Sequence, residues 1–329
     1  MDNKIEEQKK EEIKIDINNI SNLNAVKGTN PSVDAFTEKA EKKTSKETKK
    51  EQKVSELISE GYKIEKFEKY PRKFEFVPAD RIQLPSKGLP YQNCEDKDVR
   101  EGFIYIYPLT MKEEEILSTT KYINEGIATI MALNNCIKSK IDAMDLIVSD
   151  FYYLMMYLRQ ISISDKFIFN MTCPHCGHEF KYEIKISDQK FEDLDPETFQ
   201  EPIRVDLPKC DYTVLLGLPR IRTIREMSWL LNEKKDVGIA DFLHTRTIAI
   251  ISPDGTEVPK NDWLVFYNNL VHEDSKVILE YAQFDNGLNH IVKNTNCPEC
   301  GKEIEGSSVD LNADALFRYE PGESEYNQE

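Results

Sequence analysis

The stretch Cys173-Pro174-His175-Cys176-Gly177-His178-Glu179-Phe180 is matched far along the chain by Cys297-Pro298-Glu299-Cys300-Gly301-Lys302-Glu303-Ile304. Both stretches read Cys-Pro-x-Cys-Gly, then a basic or imidazole side chain, Glu and an apolar residue. This spacing is typical of a tight turn that directs two sulfurs at one point, with Pro restricting the entry and Gly permitting a positive φ at the exit. Four thiolates form the ligand set of a tetrahedral structural zinc site. We therefore predict one zinc ion per chain, bound by Cys173, Cys176, Cys297 and Cys300.

Residues 177–296 separate the two cysteine pairs, which is far more than in a compact zinc finger. A shared metal would therefore join parts of the chain that are remote in sequence. Alternating apolar residues predict strands on both sides of the first turn, at Phe167–Met171 and Phe180–Ile186, as in the hairpin of a zinc ribbon. A further strand, Ile304–Leu311, is predicted to leave the second turn.

Helices and strands do not alternate regularly along the chain, which favours an α+β fold over a doubly wound sheet. We predict a helical core with short strands and a split zinc ribbon, whose two knuckles flank a mainly helical insertion. Residues 1–60 contain many charges of both signs and few large apolar residues, which predicts a disordered tail. The remaining predicted segments are the N-terminal α+β body with the first knuckle at 61–187, the insertion at 188–292, the second knuckle at 293–320 and a polar tail at 321–329.

The apolar periodicity locates most of the other elements. Strands are predicted at Phe74–Val77, Gly102–Tyr107, Ile203–Leu207 and Tyr212–Leu216, whereas Ile248–Ile251 fits either a strand or the end of a helix. A capping box at Thr110–Glu113 predicts the start of a helix, because the hydroxyl and the carboxylate can each accept an unpaired amide. Further helices are predicted around Ile127–Ile137, Met144–Leu158, Ile221–Asn232 and Ile239–His244, and after the N-cap candidates Asp262 and Ser275.

The composition limits the classes of function. The 329-residue chain carries a formal charge of −16 and has a pI of about 5.0, so binding to nucleic acid through an overall basic surface is not expected. The N-terminus lacks the apolar segment of a signal peptide, and no stretch is long and apolar enough for a membrane span. These features favour a reducing cytoplasm, where closely spaced cysteines are metal ligands more often than disulfides.

The other candidate reactive residues form no catalytic pattern. Cys94, Cys136 and Cys210 have no activating neighbours in the sequence and are predicted to be inert, and His175 and His178 are predicted to be exposed. We find no Ser/His/Asp order, phosphate-binding glycine loop or paired carboxylates in the sequence. A catalytic zinc would need an open coordination position, which four equivalent thiolates do not leave. The chain is therefore predicted not to be an enzyme.

One order of motifs resembles a known family. It comprises the loop Leu84–Tyr91, an aromatic strand, the helix start at Leu109–Glu114, Gly126 with a helix ending near Cys136, the helical segment Asp145–Arg159 and the two cysteine turns. This order resembles the baseplate hub and hub-assembly proteins of large contractile-tailed, myovirus-type bacteriophages, over roughly residues 81–319. Only the four cysteines are carried over from the family, as metal ligands.

The resemblance implies a non-enzymatic structural component of the tail baseplate, or a factor that assembles it. The implied partners are other baseplate or tail proteins, with homo-oligomerisation as a further option. The implied location is the virion tail, or the cytoplasm of the host during assembly.

Two other functions remain open on the sequence alone. A nucleic-acid-binding or transcription-associated zinc ribbon would carry basic and aromatic residues next to its knuckles, whereas here Lys181 and Lys185 are offset by Glu179 and Glu183. A Cys-x-x-Cys redox protein would instead cycle between dithiol and disulfide within one cysteine pair.

Overall fold

The computed structural model of the protein describes residues 67, 69–70, 72–189, 191, 193–234, 237–282, 295–304 and 316–317. The predicted tails at 1–60 and 321–329 lie outside these residues, as does the strand predicted after Ile304. The described residues form helices and small antiparallel sheets, which confirms the predicted α+β class.

The first sheet pairs β1, Asp80–Gln83, with β2, Phe103–Ile106, in antiparallel register. Between these strands lie a short 3-10 turn, Leu89–Tyr91, and helix α1, Lys97–Arg100. The alternation of β2 buries both of its isoleucines in the core. The strand predicted between Gly102 and Tyr107 is therefore confirmed.

The strand predicted at Phe74–Val77 is wrong. Phe74 and Phe76 are 75% and 92% exposed, and their rings stack on each other with centroids 5.9 Å apart. Alternating aromatic residues are typical of a strand that packs on a sheet. None of the strands in the described residues pairs with this segment, so its aromatic face stays in contact with solvent.

Four helices of the N-terminal body follow β2. They are α2, Met111–Ser118; α3, Thr120–Asn124; α4, Ala128–Cys136; and α5, Val148–Ser162. The capping box at the start of α2 is confirmed, because Glu113 accepts a hydrogen bond from the amide of Thr110 at 2.9 Å. Glu113 is also buried and forms an ion pair with Arg72 at 3.1 Å.

Helix α5 contributes several of the most deeply buried side chains in the described core: Leu154, Met155, Met156 and Leu158. The helix was predicted to begin near Met144, but α5 begins at Val148. The preceding residues Ala143–Asp145 form a separate 3-10 turn, in which the Asp142 carboxylate accepts the amide of Met144. The apolar periodicity thus continues across a point at which the helix is interrupted.

After α5 the chain forms a hairpin of two seven-residue strands: β3, Lys166–Thr172, and β4, Glu179–Lys185. The strands pair from Lys166 with Lys185 at the base to Thr172 with Glu179 at the tip. Phe167 and Ile184 at the base belong to the main core. The tip carries the first cysteine turn.

The segment predicted as a mainly helical insertion contains both helices and a sheet. Strands β5, Ile203–Asp206; β6, Thr213–Leu216; and β7, Thr247–Ile251 form an antiparallel sheet in the order β5-β6-β7. The helices are α6, Ile221–Lys234; α7, Ile239–Arg246; α8, Trp263–Asn268; and α9, His272–Ala282. Buried residues of this sheet share one hydrophobic core with β2, α4 and α5.

One of the two predicted N-caps is misplaced. Asp262 directly precedes α8, as predicted, although its side chain makes no capping hydrogen bond. Ser275 lies inside α9, which begins three residues earlier at His272. The acidic residues Glu273 and Asp274 occupy the first turn of α9, where negative charge is favourable. These two residues, rather than Ser275, mark the start of the helix.

A buried carboxylate connects the loop Leu84–Tyr91 to the start of α5. Asp150 accepts the amide of Ser86 at 3.1 Å and the hydroxyl of Tyr91 at 2.7 Å. The Tyr91 oxygen in turn accepts the amide of Ile147 at 3.0 Å. This network holds the loop against the helix that carries much of the core.

The loop also depends on a glycine at its centre. Gly88 has a φ of 75°, and a Cβ there would lie 2.5 Å from both the Arg100 carbonyl oxygen and the Gly102 amide nitrogen. The loop and the residues before β2 therefore pack backbone to backbone. No side chain fits between them without movement of the main chain.

We predict that Gly88→Ala lowers the free energy of unfolding by about 2–5 kcal/mol, because it combines positive-φ strain with a backbone clash. Gly255→Ala is the matched control, since Gly255 has a φ of 85° but nothing lies within 4 Å of its Cβ position. Urea unfolding of both variants measures the difference. Equal losses of stability would contradict the proposed close packing at Gly88.

Asp150 gives a second prediction. Burial raises the pKa of Asp150 to about 6, despite hydrogen bonds from Ser86 and Tyr91 that favour the carboxylate. The folded protein thus holds a proton on this group that the unfolded chain releases near pH 4. The resulting contribution to stability is fully present below about pH 4 and is lost, by up to about 3 kcal/mol, as the pH rises through 6.

The variant Asp150→Asn should lack this part of the pH dependence. The measurement is urea unfolding of both proteins at pH 4 and pH 6.5. The contributions of the other titrating groups to the free energy of unfolding cancel when the two proteins are compared. Parallel changes in the two free energies of unfolding would contradict the assignment.

Candidate metal centre

The first cysteine turn closes the tip of the β3–β4 hairpin. The amide of Cys173 donates to the carbonyl of His178, and the amide of Gly177 donates to the carbonyl of Cys173, both at 2.9 Å. Gly177 has a φ of 74°, a conformation that residues with a Cβ seldom adopt. The glycine thus lets the chain reverse directly after Cys176, as the sequence pattern predicted.

The second turn repeats the same backbone bonds. The amide of Cys297 donates to the carbonyl of Lys302, and the amide of Gly301 donates to the carbonyl of Cys297, both at 2.9 Å. Gly301 has a φ of 69°. The short strands β8, Thr295–Asn296, and β9, Glu303–Ile304, flank this turn. The two sequence repeats therefore form two equivalent turns.

The structure brings all four predicted cysteines together. Their sulfurs all lie within 4.8 Å of one another, with Cys173 and Cys300 at 3.8 Å and Cys176 and Cys297 at 3.7 Å. A tetrahedral ion with metal–sulfur distances of about 2.3 Å requires sulfurs about 3.8 Å apart. Disulfide bonds would require about 2.05 Å. The sulfur positions therefore fit the coordination shell of a metal ion of zinc size.

The electrostatics of the cluster also favour a cation. The amides of Cys300 and Glu299 hold the pKa of the Cys297 thiol below its usual value. The amide of His178 acts in the same direction on Cys176, but partial desolvation of its sulfur and the neighbouring sulfurs raise the pKa of that thiol to about 12. Four thiolates this close repel one another strongly, so full deprotonation requires a positive charge among them.

The surroundings of the cluster are apolar on one side and open on the other. Cys173, Cys297 and Ile304 are buried together, and Met171 and Phe180 of the hairpin pack against them. Cys176 and Cys300 are exposed. This small apolar cluster is separate from the main core. Such a site can hold two chain segments together, and four protein ligands leave no coordination position for a substrate.

The remaining cysteines lie away from this cluster. Burial raises the pKa of the Cys136 thiol to about 12, and Arg72 lies 3.6 Å from its sulfur. Cys94 and Cys210 are partly buried, and Cys210 donates its amide to the buried carboxylate of Asp274. These environments suit unreactive thiols, as the sequence predicted.

The histidines differ in their exposure and in their contacts. His175 is exposed and His178 is partly exposed, with its ring stacked on Phe180. His244 is buried edge-on against Trp263, His272 is exposed, and His290 lies outside the described residues. The sequence did not reveal that the ring of His175 reaches the carbonyl of Glu303 in the second turn, at 3.0 Å. Glu299 occupies the position in the second turn that corresponds to His175.

Within the described part of the chain, the four cysteines are the only group of three or more potential ligands placed to hold a metal ion. No helix in the same residues is long and apolar enough to cross a bilayer.

A family model described as T4 bacteriophage base plate protein matches residues 91–312, which is more than half of the chain. The matched range includes both cysteine turns and the whole segment between them. Comparisons with curated proteins and with solved structures find no match. The family match confirms the resemblance to phage baseplate proteins that the order of motifs indicated. The chain therefore belongs to the family of T4 bacteriophage base plate proteins.

Proposed function

We propose that the protein is a non-enzymatic structural or assembly component of the hub of a phage tail baseplate, stabilised by one structural zinc ion. The family match over residues 91–312 supports the baseplate role, and it is the observation on which the proposal rests. The proposed zinc ligands are Cys173, Cys176, Cys297 and Cys300, whose sulfurs have tetrahedral spacing. When bound, the ion would supply crosslinking between two chain segments, without a role in turnover.

The structure suggests how such a protein would serve an assembly. The N-terminal body and the segment at 188–282 share one core, so they present a fixed surface to partners. The hairpin β3–β4 extends from this core, and its tip is the place where a metal would hold the second turn. The proposed partners are other baseplate or tail proteins, with a second copy of this chain as a further option. The proposed location is the virion tail or the host cytoplasm during assembly.

The two other functions receive less support. In a redox Cys-x-x-Cys site the two sulfurs of one turn react with each other, whereas here the four sulfurs of both turns all lie within 4.8 Å of one another. For nucleic acid, the strong negative charge of the chain opposes binding to phosphates. The exposed side chains of Glu179 and Glu303 next to the two turns add to this repulsion.

From the proposed metal centre we predict that the purified protein contains about one zinc ion per chain. Cys176→Ser should lose most of this metal because it removes one of four thiolates. Cys210→Ser is the matched control, since Cys210 is a partly buried cysteine outside the cluster. Elemental analysis after dialysis measures the metal content and also distinguishes zinc from iron.

Because the sulfurs lie outside the main core, we expect Cys176→Ser to keep the circular dichroism spectrum of the folded protein. Equal metal contents in the two variants would contradict the proposed ligands. A wild-type protein that binds no zinc even when zinc is supplied would contradict the metal centre itself.

The baseplate role predicts that this chain occurs with other tail proteins during infection by the phage that encodes it. Quantitative mass spectrometry of purified particles and of baseplate intermediates from infected cells tests this expectation. A fixed ratio to other baseplate proteins in particles supports a resident component. Presence in intermediates alone supports an assembly factor, and absence from both would contradict the proposed role.

A further inference from the structure

We propose that His175 is a positioning residue of the metal centre, which fastens the second cysteine turn to the first through a hydrogen bond that does not involve the metal. The inference rests on the proposed metal centre and goes beyond its ligand set. Its basis is the contact of 3.0 Å between Nε2 of His175 and the main-chain carbonyl oxygen of Glu303.

The chemistry of this contact fixes its direction. A carbonyl oxygen can only accept, so Nε2 of His175 carries the proton and donates it. The acceptor belongs to the main chain of β9, and the next residue, Ile304, is buried against Cys173 and Cys297. The bond therefore holds the strand that leaves the second turn, directly beside the sulfurs. A carbonyl acceptor also makes the bond independent of the side chain at position 303.

The two turns share the same backbone bonds but differ at the position whose side chain makes this bond. The backbone bonds of each turn are internal, and they set the spacing of only the two sulfurs in that turn. The relative placement of the two turns depends on contacts between them. Glu299 occupies the position in the second turn that corresponds to His175, and its carboxylate cannot donate to a carbonyl. His175 provides such a side-chain bond between the two turns.

The expected consequence is a higher effective concentration of one cysteine pair near the other. When a metal ion leaves one pair of thiolates, a fastened second turn keeps the other pair within reach and favours rebinding. An exposed hydrogen bond of ordinary strength is worth about fivefold in such an equilibrium. We therefore expect His175 to slow release of the metal while leaving the number of bound ions unchanged.

The test compares zinc release to a chromophoric chelator from the wild type and from three variants of the full chain. His175→Ala should release zinc about fivefold faster. His175→Gln should recover much of the difference, because its side-chain amide can donate to the same carbonyl. His178→Ala is the matched control: it removes an imidazole from the same turn whose ring stacks on Phe180. It should release zinc at a rate close to that of the wild type.

A second measurement does not require metal. Hydrogen exchange of the amides of Cys297 and Gly301 in the metal-free protein should be faster in His175→Ala than in the wild type. Equal exchange, or equal zinc release from His175→Ala and His178→Ala, would overturn the role of His175. Failure of the wild type to bind zinc would instead count against the metal centre, and the exchange experiment would still decide the role of His175.

Discussion

The guanidinium group of Arg159 fixes the base of the region that carries the metal centre. Arg159 is completely buried in the last turn of α5 and donates to the carbonyls of Lys166, at 3.1 Å, and Leu316, at 2.6 Å. Lys166 begins the hairpin that ends in the first cysteine turn, and Leu316 follows the second turn. Burying a cation is costly, and the two carbonyls offset part of this cost by accepting hydrogen bonds from the guanidinium group. Arg159 therefore binds the main chain both at the base of the β3–β4 hairpin and at Leu316, which follows the second turn in the sequence.

A second polar contact joins the segment between the turns to the rest of the core. Arg220 forms a two-pronged ion pair with Glu201, at 2.6 and 2.9 Å, and also donates to the carbonyl of Pro90. Beside it, the amide of Val148 donates to Pro219, so the starts of α5 and α6 are linked through the main chain. The loop Leu84–Tyr91 is thus held from both sides. The segment at 188–282 is joined to the body by this contact and by the shared core, without any need for the metal.

The sequence predicted those parts of the structure whose signals are local. The cysteine turns, the capping box at Thr110 and strand β2 follow from short patterns, and each is present as predicted. The strand at Phe74–Val77 failed because a strand needs a partner that the pattern cannot supply. The contact between His175 and Glu303 was not visible either, since 128 residues separate them and only the folded chain brings them together.

The contacts in the structure give the cysteines a more local role in the fold than their spacing in the sequence indicated. Their spacing alone suggested that a metal would hold the intervening segment onto the body, because that segment lies between them. The structure assigns that work to apolar burial and to Arg220, which leaves the four sulfurs a more local task. The second turn contacts the hairpin tip through the sulfurs, His175 and the small apolar cluster around Ile304. Because burying so few apolar residues contributes little stability, the placement of residues 295–304 would depend on a bound metal more than that of the other described residues. In a baseplate component, such a site would set the position of one surface segment while the core keeps its shape whether or not the metal is bound.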